Sequence, residues 1–251
     1  MPRDEGTLAG ADIWLIHGNL QTPDVWAPIV PRLEATGLNV HLVDLWATLA
    51  DSMADWARAF CADVRTNDAP RRYLLGYSLG GRLALHALLD APDLWAGALL
   101  VSADIGIADA AQRARRRETD AAWARRFRDE PIEQVLADWN RQPVFGGRKA
   151  DFSLQNVRDM TYLRELLVRM FHVYSKGTQR DLLPDLAAAA LPATLWITGE
   201  EDAAFESIAR RVAGEVPGAS HLSIPDAAHR VPWDAMDQFV SAVHSFASAR
   251  L

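Results

Sequence analysis

The chain has a single cysteine, Cys61, in 251 residues. It can form no intrachain disulfide and no cysteine-built zinc site. Such sparing use of cysteine fits a reducing compartment. Long apolar runs are also missing: the longest, such as Gly97–Val101, have the length of a strand rather than of a bilayer span. The opening residues, Met1-Pro2-Arg3-Asp4-Glu5-Gly6, lack the apolar stretch of a secretory signal. Positive charge is not in excess. The 33 acidic and 26 basic residues give a net charge of −7, which argues against nucleic acid as the main partner but not against a local basic pocket. There is no repeat and no low-complexity linker, only a short alanine run at Ala187–Ala190. The expectation is a cytoplasmic enzyme acting on a small molecule, with no nucleic-acid or membrane partner; oligomeric state is not legible.

What is present is an ordinary globular composition, 49% hydrophobic and 24% charged, in a chain long enough for one α/β domain. Short apolar runs alternate with helical patterns, which predicts a mostly parallel sheet with helices on both faces. Strands are expected near Ile13–Ile16, Val40–Val43, Tyr73–Leu75, Gly97–Val101, Thr194–Thr198 and His221–Ile224. Helices are expected over Pro23–Ala35, Met53–Arg65, Leu79–Leu89, Ala203–Glu215 and Trp233–Ala247. From Asp109 to Asp185 no strand is convincing, and helical spacing dominates through Trp123, Phe127, Ile132, Val135, Leu136, Trp139, Leu163, Leu167 and Phe171. So long an insertion exceeds a simple crossover. It predicts a helical cap, residues 109–185, over a core of residues 1–108 and 186–251, covering the sheet edge where such folds place ligands.

Gly76-Tyr77-Ser78-Leu79-Gly80-Gly81-Arg82 lies between a predicted strand and a predicted helix. That context makes Gly76-x-Ser78-x-Gly80 a nucleophile elbow, in which a strained turn lifts the serine hydroxyl above the sheet. The alternative is a serine that merely caps a helix. The α/β-hydrolase fold that carries this elbow orders its triad as serine, acid, histidine. Asp202 follows the strand Thr194–Thr198 in Gly199-Glu200-Glu201-Asp202 and is the expected acid, with Glu201 as alternative. Of seven histidines, only His229 follows the last strand in a loop, from which its imidazole can reach Ser78. His17-Gly18-Asn19-Leu20 follows the first clear strand. Backbone N–H groups of Asn19 and of Leu79 are the expected oxyanion donors.

These residues and the insertion resemble the MenH family, the 2-succinyl-6-hydroxy-2,4-cyclohexadiene-1-carboxylate synthases of menaquinone biosynthesis. The elbow with Arg82 is similar. So is the cap succession Ala111-Gln112-Arg113-Ala114, Arg116, Thr119-Asp120, Trp123, Arg126-Phe127, Glu130-Pro131, Ala137-Asp138-Trp139 and Gln142-Pro143-Val144-Phe145. Gly177-Thr178-Gln179, Gly199-Glu200-x-Asp202 and Ala228-His229 complete a likeness that covers nearly the whole chain. Three segments depart from it. Gln21 stands where a glycine is often found, Asp44-Leu45-Trp46-Ala47-Thr48 replaces Asp-x-Pro-Gly-His-Gly, and Asp151–Tyr174 matches poorly. The departures fall on the pocket rim, not on the triad.

The resemblance implies a lyase that expels pyruvate from an enolpyruvyl-succinyl-cyclohexene carboxylate, with His229 polarising Ser78 and Asp202 holding the imidazole. It implies no metal or organic cofactor. A polycarboxylate substrate needs cations, and arginine suits carboxylate. Arg82 lies one helical turn beyond Ser78, and Arg116 shares a stripe with Trp123 and Phe127, so both are expected carboxylate ligands, whereas Arg115 and Arg117 point elsewhere. The alternative for Arg82 and Arg116 is a structural ion pair. Trp139 and Tyr77 are possible pocket walls, or else core aromatics. A serine carboxylesterase or carbon–carbon bond hydrolase on the same triad is the competing activity. A non-enzymatic binding module is the remaining one, and the complete triad argues against it.

Overall fold

The computed structural model describes residues 8–146 and 160–250, with the side chains of residues 160–162 excepted. The poorly matching segment therefore falls partly outside the described residues. Six strands form one sheet: β1 (Ala11–Ile16), β2 (Leu38–Val43), β3 (Arg71–Tyr77), β4 (Gly97–Val101), β5 (Thr194–Gly199) and β6 (Ala219–Ile224). Their order is β2-β1-β3-β4-β5-β6, and every neighbouring pair is parallel. All residues of β1 and β4 are buried, as a sheet covered on both faces demands. The edge strand β6 instead alternates between half-buried and exposed positions along most of its length.

Four single-turn 3-10 segments among the described residues aside, the covering layers follow the sequence pattern. On one face lie α2 (Met53–Val64), α3 (Leu79–Asp90) and α8 (Ala203–Glu215), with Trp56, Leu83, Leu88 and Val212 in their core. On the other lie α1 (Val30–Glu34), α9 (Val231–Asp234) and α10 (Met236–Ser248), with Leu33, Val231, Phe239 and Val243. Ser52 caps α2, its Oγ accepting the Asp55 N–H at 3.0 Å. Between β4 and β5 the described residues form α4 (Ala110–Asp129), α5 (Ile132–Asn140), α6 (Met160–Val173) and α7 (Leu183–Ala188). This insertion has its own aromatic centre: Phe127 stacks on Phe171 at 5.5 Å, and Trp139 meets Trp123 edge-on at 5.1 Å.

Two expected helices are interrupted. Pro23–Ala35 is a single-turn 3-10 segment, Pro23–Trp26, followed by the five-residue α1. Pro28 and Pro31 have no N–H to give a continuous ladder. Trp233–Ala247 divides at Ala235, whose φ of −140° and ψ of 57° are not helical. The break leaves Asp234 free to turn back and accept the Ala228 N–H at 3.0 Å.

From β1 the chain passes to β2 on one side, then to β3 on the other. The loops after β1 and β3 consequently open at the switch point, where α/β sheets bind ligands beyond their carboxyl ends.

Candidate active site

Ser78 joins β3 to α3 with φ 53° and ψ −109°, a conformation costly for a residue with Cβ. The turn is held by the Ser78 N–H, which donates to the Val101 carbonyl at 2.9 Å. The residues two positions before and after it must be glycine. A Cβ on Gly76 would lie 2.4 Å from the Gly80 carbonyl oxygen, and one on Gly80 would lie 2.3 Å from that of Ile16. Leu79 is the first residue of α3, so its N–H has no acceptor within the helix.

His229 lies in the loop between β6 and α9, and Asp202 lies just beyond β5. Nδ1 of His229 donates to Asp202 Oδ2 at 2.7 Å, and Nε2 is 3.0 Å from Ser78 Oγ. The carboxylate fixes the tautomer: with the proton on Nδ1, Nε2 accepts from the serine hydroxyl. Both residues are buried. Glu201, the alternative acid, is exposed. Ser102, with φ 46°, donates its hydroxyl to the His229 carbonyl at 2.9 Å. Phe205 meets the imidazole edge-on at 4.5 Å, and Phe145, from the insertion between β4 and β5, meets it at 5.9 Å.

The two atypical segments lock together. Gln21 Oε1 accepts the Gly18 N–H at 2.8 Å, and Trp46 Nε1 donates to the Gln21 carbonyl at 2.6 Å. Leu45 N–H donates to His17 Nε2 at 3.2 Å, so the His17 proton sits on Nδ1, 2.9 Å from the Gly18 carbonyl. Burial pushes the His17 pKa down to about 4, which keeps the ring neutral and its acceptor available. The residues of the loops after β1 and β2 thus brace the backbone that carries Asn19.

A cavity of about 260 Å³ opens above Ser78, lined among others by Asn19, Leu79, Arg82, Arg116, Trp139 and His229. Arg82 is buried, and its guanidinium donates to neutral acceptors, the Tyr174 carbonyl at 2.7 Å and Gln179 Oε1 at 3.4 Å. Desolvation lowers its pKa to about 10, still a cation at neutral pH. Arg116 Nε donates to both oxygens of Asp120, at 2.9 and 3.0 Å. Arg116 is therefore in an ion pair and at the cavity wall at once. Tyr77 is buried against Trp233 and His229, and lines with Ser78 a much smaller recess of about 30 Å³.

The pattern of the α/β-hydrolase family matches residues 15–242. The synthase named 2-succinyl-6-hydroxy-2,4-cyclohexadiene-1-carboxylate synthase from Serratia proteamaculans is 35% identical over 229 residues, which are 86% of this chain and 88% of that protein. Its namesake from Salmonella typhimurium is 32% identical over 85% of each. The chain belongs to the MenH family of α/β hydrolases. The structure of MenH from S. aureus superposes with a TM-score of 0.81 at 21% identity, covering 96% of this chain and 95% of that one. An esterase from Exiguobacterium antarcticum also shares the fold, with a TM-score of 0.71 and 13% identity.

Against this MenH background, three neighbours of the site stand out as unforeseen by sequence. Lys176 and Asp104 line the cavity as a pair, 2.6 Å apart. Arg230, next to His229, lies 3.9 Å over the Phe145 ring and donates to Asn140 of α5. Adjacency to Gly177-Thr178-Gln179 and to His229 was the available signal for the lysine and the arginine. Arg117 does not line the cavity; it donates to the Gly177 carbonyl at 2.8 Å and so fastens the turn that bears Lys176.

Proposed function

We propose that this chain is the lyase of its family, converting an enolpyruvyl-succinyl-cyclohexene carboxylate into 2-succinyl-6-hydroxy-2,4-cyclohexadiene-1-carboxylate and pyruvate. The observation that carries it is a connected Ser78–His229–Asp202 triad beneath a cavity walled by Arg82 and Arg116. A neutral ester needs no such pair of cations, whereas a polycarboxylate does.

In this mechanism His229 Nε2 draws the Ser78 proton, and the serine oxygen removes the proton on the ring carbon next to the succinyl ketone. The N–H groups of Asn19 and Leu79 face the enolate oxygen that forms. Collapse of the enolate completes the diene and breaks the carbon–oxygen bond to the enolpyruvyl group. The departing enolpyruvate gains a proton and becomes pyruvate, so the proton removed and the proton delivered balance. Asp202 holds the imidazole in the required tautomer and offsets its transient charge. Arg82 and Arg116 bind carboxylates, Trp139 and Tyr77 wall the site, and residues 109–185 act as the cap over the core. No helix among the described residues is long and apolar enough to cross a membrane. Cys61, the only cysteine, is buried, and a chain with no second cysteine to pair with it fits a reducing cytoplasm.

The test is to supply the enolpyruvyl precursor and follow pyruvate. Release should greatly exceed hydrolysis of aryl esters by the same protein. Rapid ester turnover without pyruvate would overturn the lyase in favour of a carboxylesterase.

A further inference from the structure

Of the 26 basic residues only Lys149 and Lys176 are lysines. Lys176 lines the cavity that holds Ser78, Arg82 and Arg116. We infer that Lys176 is a third carboxylate ligand of the substrate, held ready by Asp104.

Its placement is built rather than incidental. Lys176 begins the 3-10 turn Lys176–Thr178, capped by Ser175, whose Oγ accepts the Gly177 N–H at 2.9 Å. The same hydroxyl donates to Asp120 Oδ2 at 2.6 Å, and Asp120 is the acid that holds Arg116. One buried carboxylate therefore sets both cations. The turn is pressed onto α4 at Gly177, where a Cβ would lie 2.5 Å from the Arg113 carbonyl oxygen. Asp104 is buried and shares its charge: Oδ2 takes the lysine, and Oδ1 takes the Gly106 N–H at 2.8 Å.

An ammonium has three N–H donors. One meets Asp104, and Lys176 lines a cavity that Arg82 and Arg116 also line. A carboxylate entering that cavity can share the lysine without displacing the aspartate. The proposed precursor carries three carboxylates, on the ring, the succinyl arm and the enolpyruvyl arm, and the cavity offers three cations. In this respect the inference rests on the lyase reading. A point charge that can swivel also tolerates a ligand whose position shifts as the enolpyruvyl bond breaks, which a rigid guanidinium fork does less well.

The experiment uses the full chain and reads binding apart from turnover. The probe is 2-succinylbenzoate, the aromatic dicarboxylate formed by dehydrating the proposed product, titrated by tryptophan fluorescence. Lys176→Met should weaken it about tenfold, the cost of losing one charged hydrogen bond. Lys176→Arg should recover part of that. Asp104→Asn keeps an amide oxygen to hold the ammonium while removing a competing negative charge, so it should leave binding equal or tighter. A purely structural pair would make Lys176→Met and Asp104→Asn behave alike, with lowered melting temperature and unchanged affinity, and that result overturns the inference. So does an unchanged Kd in Lys176→Met, or no binding to the wild type. The pyruvate assay is run in parallel. Tight probe binding that depends on Lys176 but gives no pyruvate would sink the lyase and leave the ligand role standing.

Discussion

Arg82 and Arg116 look equivalent in the sequence, and the structure separates them. Arg82 leans on a carbonyl and an amide, so neither of these acceptors neutralises its charge. Arg82→Ala should lower kcat/KM for the precursor by about 10- to 200-fold, from roughly 1.5–3 kcal/mol for a charged hydrogen bond. Arg82→Lys should restore only part. Arg116→Ala should lower kcat/KM and also the melting temperature, because it strips the guanidinium from the buried Asp120. Arg115 is exposed, and Arg115→Ala should be nearly silent in both assays. Equal losses in all three would indicate diffuse attraction in place of specific ligands. Ser78→Ala and His229→Ala should each remove several orders of magnitude of turnover with the circular dichroism spectrum unchanged, since triad members act as a unit. His17 gives a pH signature. Its folded pKa is about 4 against 6.5 for the free ring. Between those values the unfolded chain binds a proton that the folded chain refuses, so stability contributed by the neutral ring is complete above 6.5 and lost as pH falls towards 4. Denaturant midpoints of wild type and His17→Gln, measured across that window, should differ in slope, with the wild type the steeper.

At the level of elements, strands β1 to β6 and the elbow were legible because each depends on local pattern: apolar runs of strand length, then glycines where a Cβ would strike backbone. Helix continuity was less so. Apolar spacing passes smoothly over Pro28 and Pro31, but hydrogen bonding does not, and nothing local announces the break at Ala235 that serves the Ala228 N–H. The turn at Lys176 was illegible for another reason. Its fastening comes from Arg117 and Asp120, some 60 residues earlier in the chain, and spacing within a segment is blind to such partners. Gly177→Ala tests that fastening. The added methyl must push the turn from α4, which should raise KM for the precursor several-fold and lower the melting temperature. Unchanged kinetics alongside a lowered melting temperature would show that the turn serves stability alone.

The whole molecule carries a net charge of −7, yet its cavity gathers Arg82, Arg116 and Lys176. A polyanion approaches against the general field and is attracted only within about a Debye length of those cations. Chain order singles out Ser78, Asp202 and His229, which hydrogen-bond in series, because all three follow strand ends and strand ends converge in this topology. The cavity wall was recoverable only in part, since Lys176, Asp104 and Arg230 enter through contacts between distant segments. That same distance has a use. Ser78 and His229 are 151 positions apart, and the histidine reaches the serine only after β5 and β6 have joined β4. The β4–β5 pairing on which this depends sets Ala98 beside Thr194, and parallel pairing of such long range is slow. Turnover is therefore a gauge of completed assembly. In refolding from denaturant, tryptophan fluorescence should recover before pyruvate release does, and the interval between them should time the docking of the last two strands. A chaperone screen or a library of destabilised variants could be scored by that clock with no label attached to the protein.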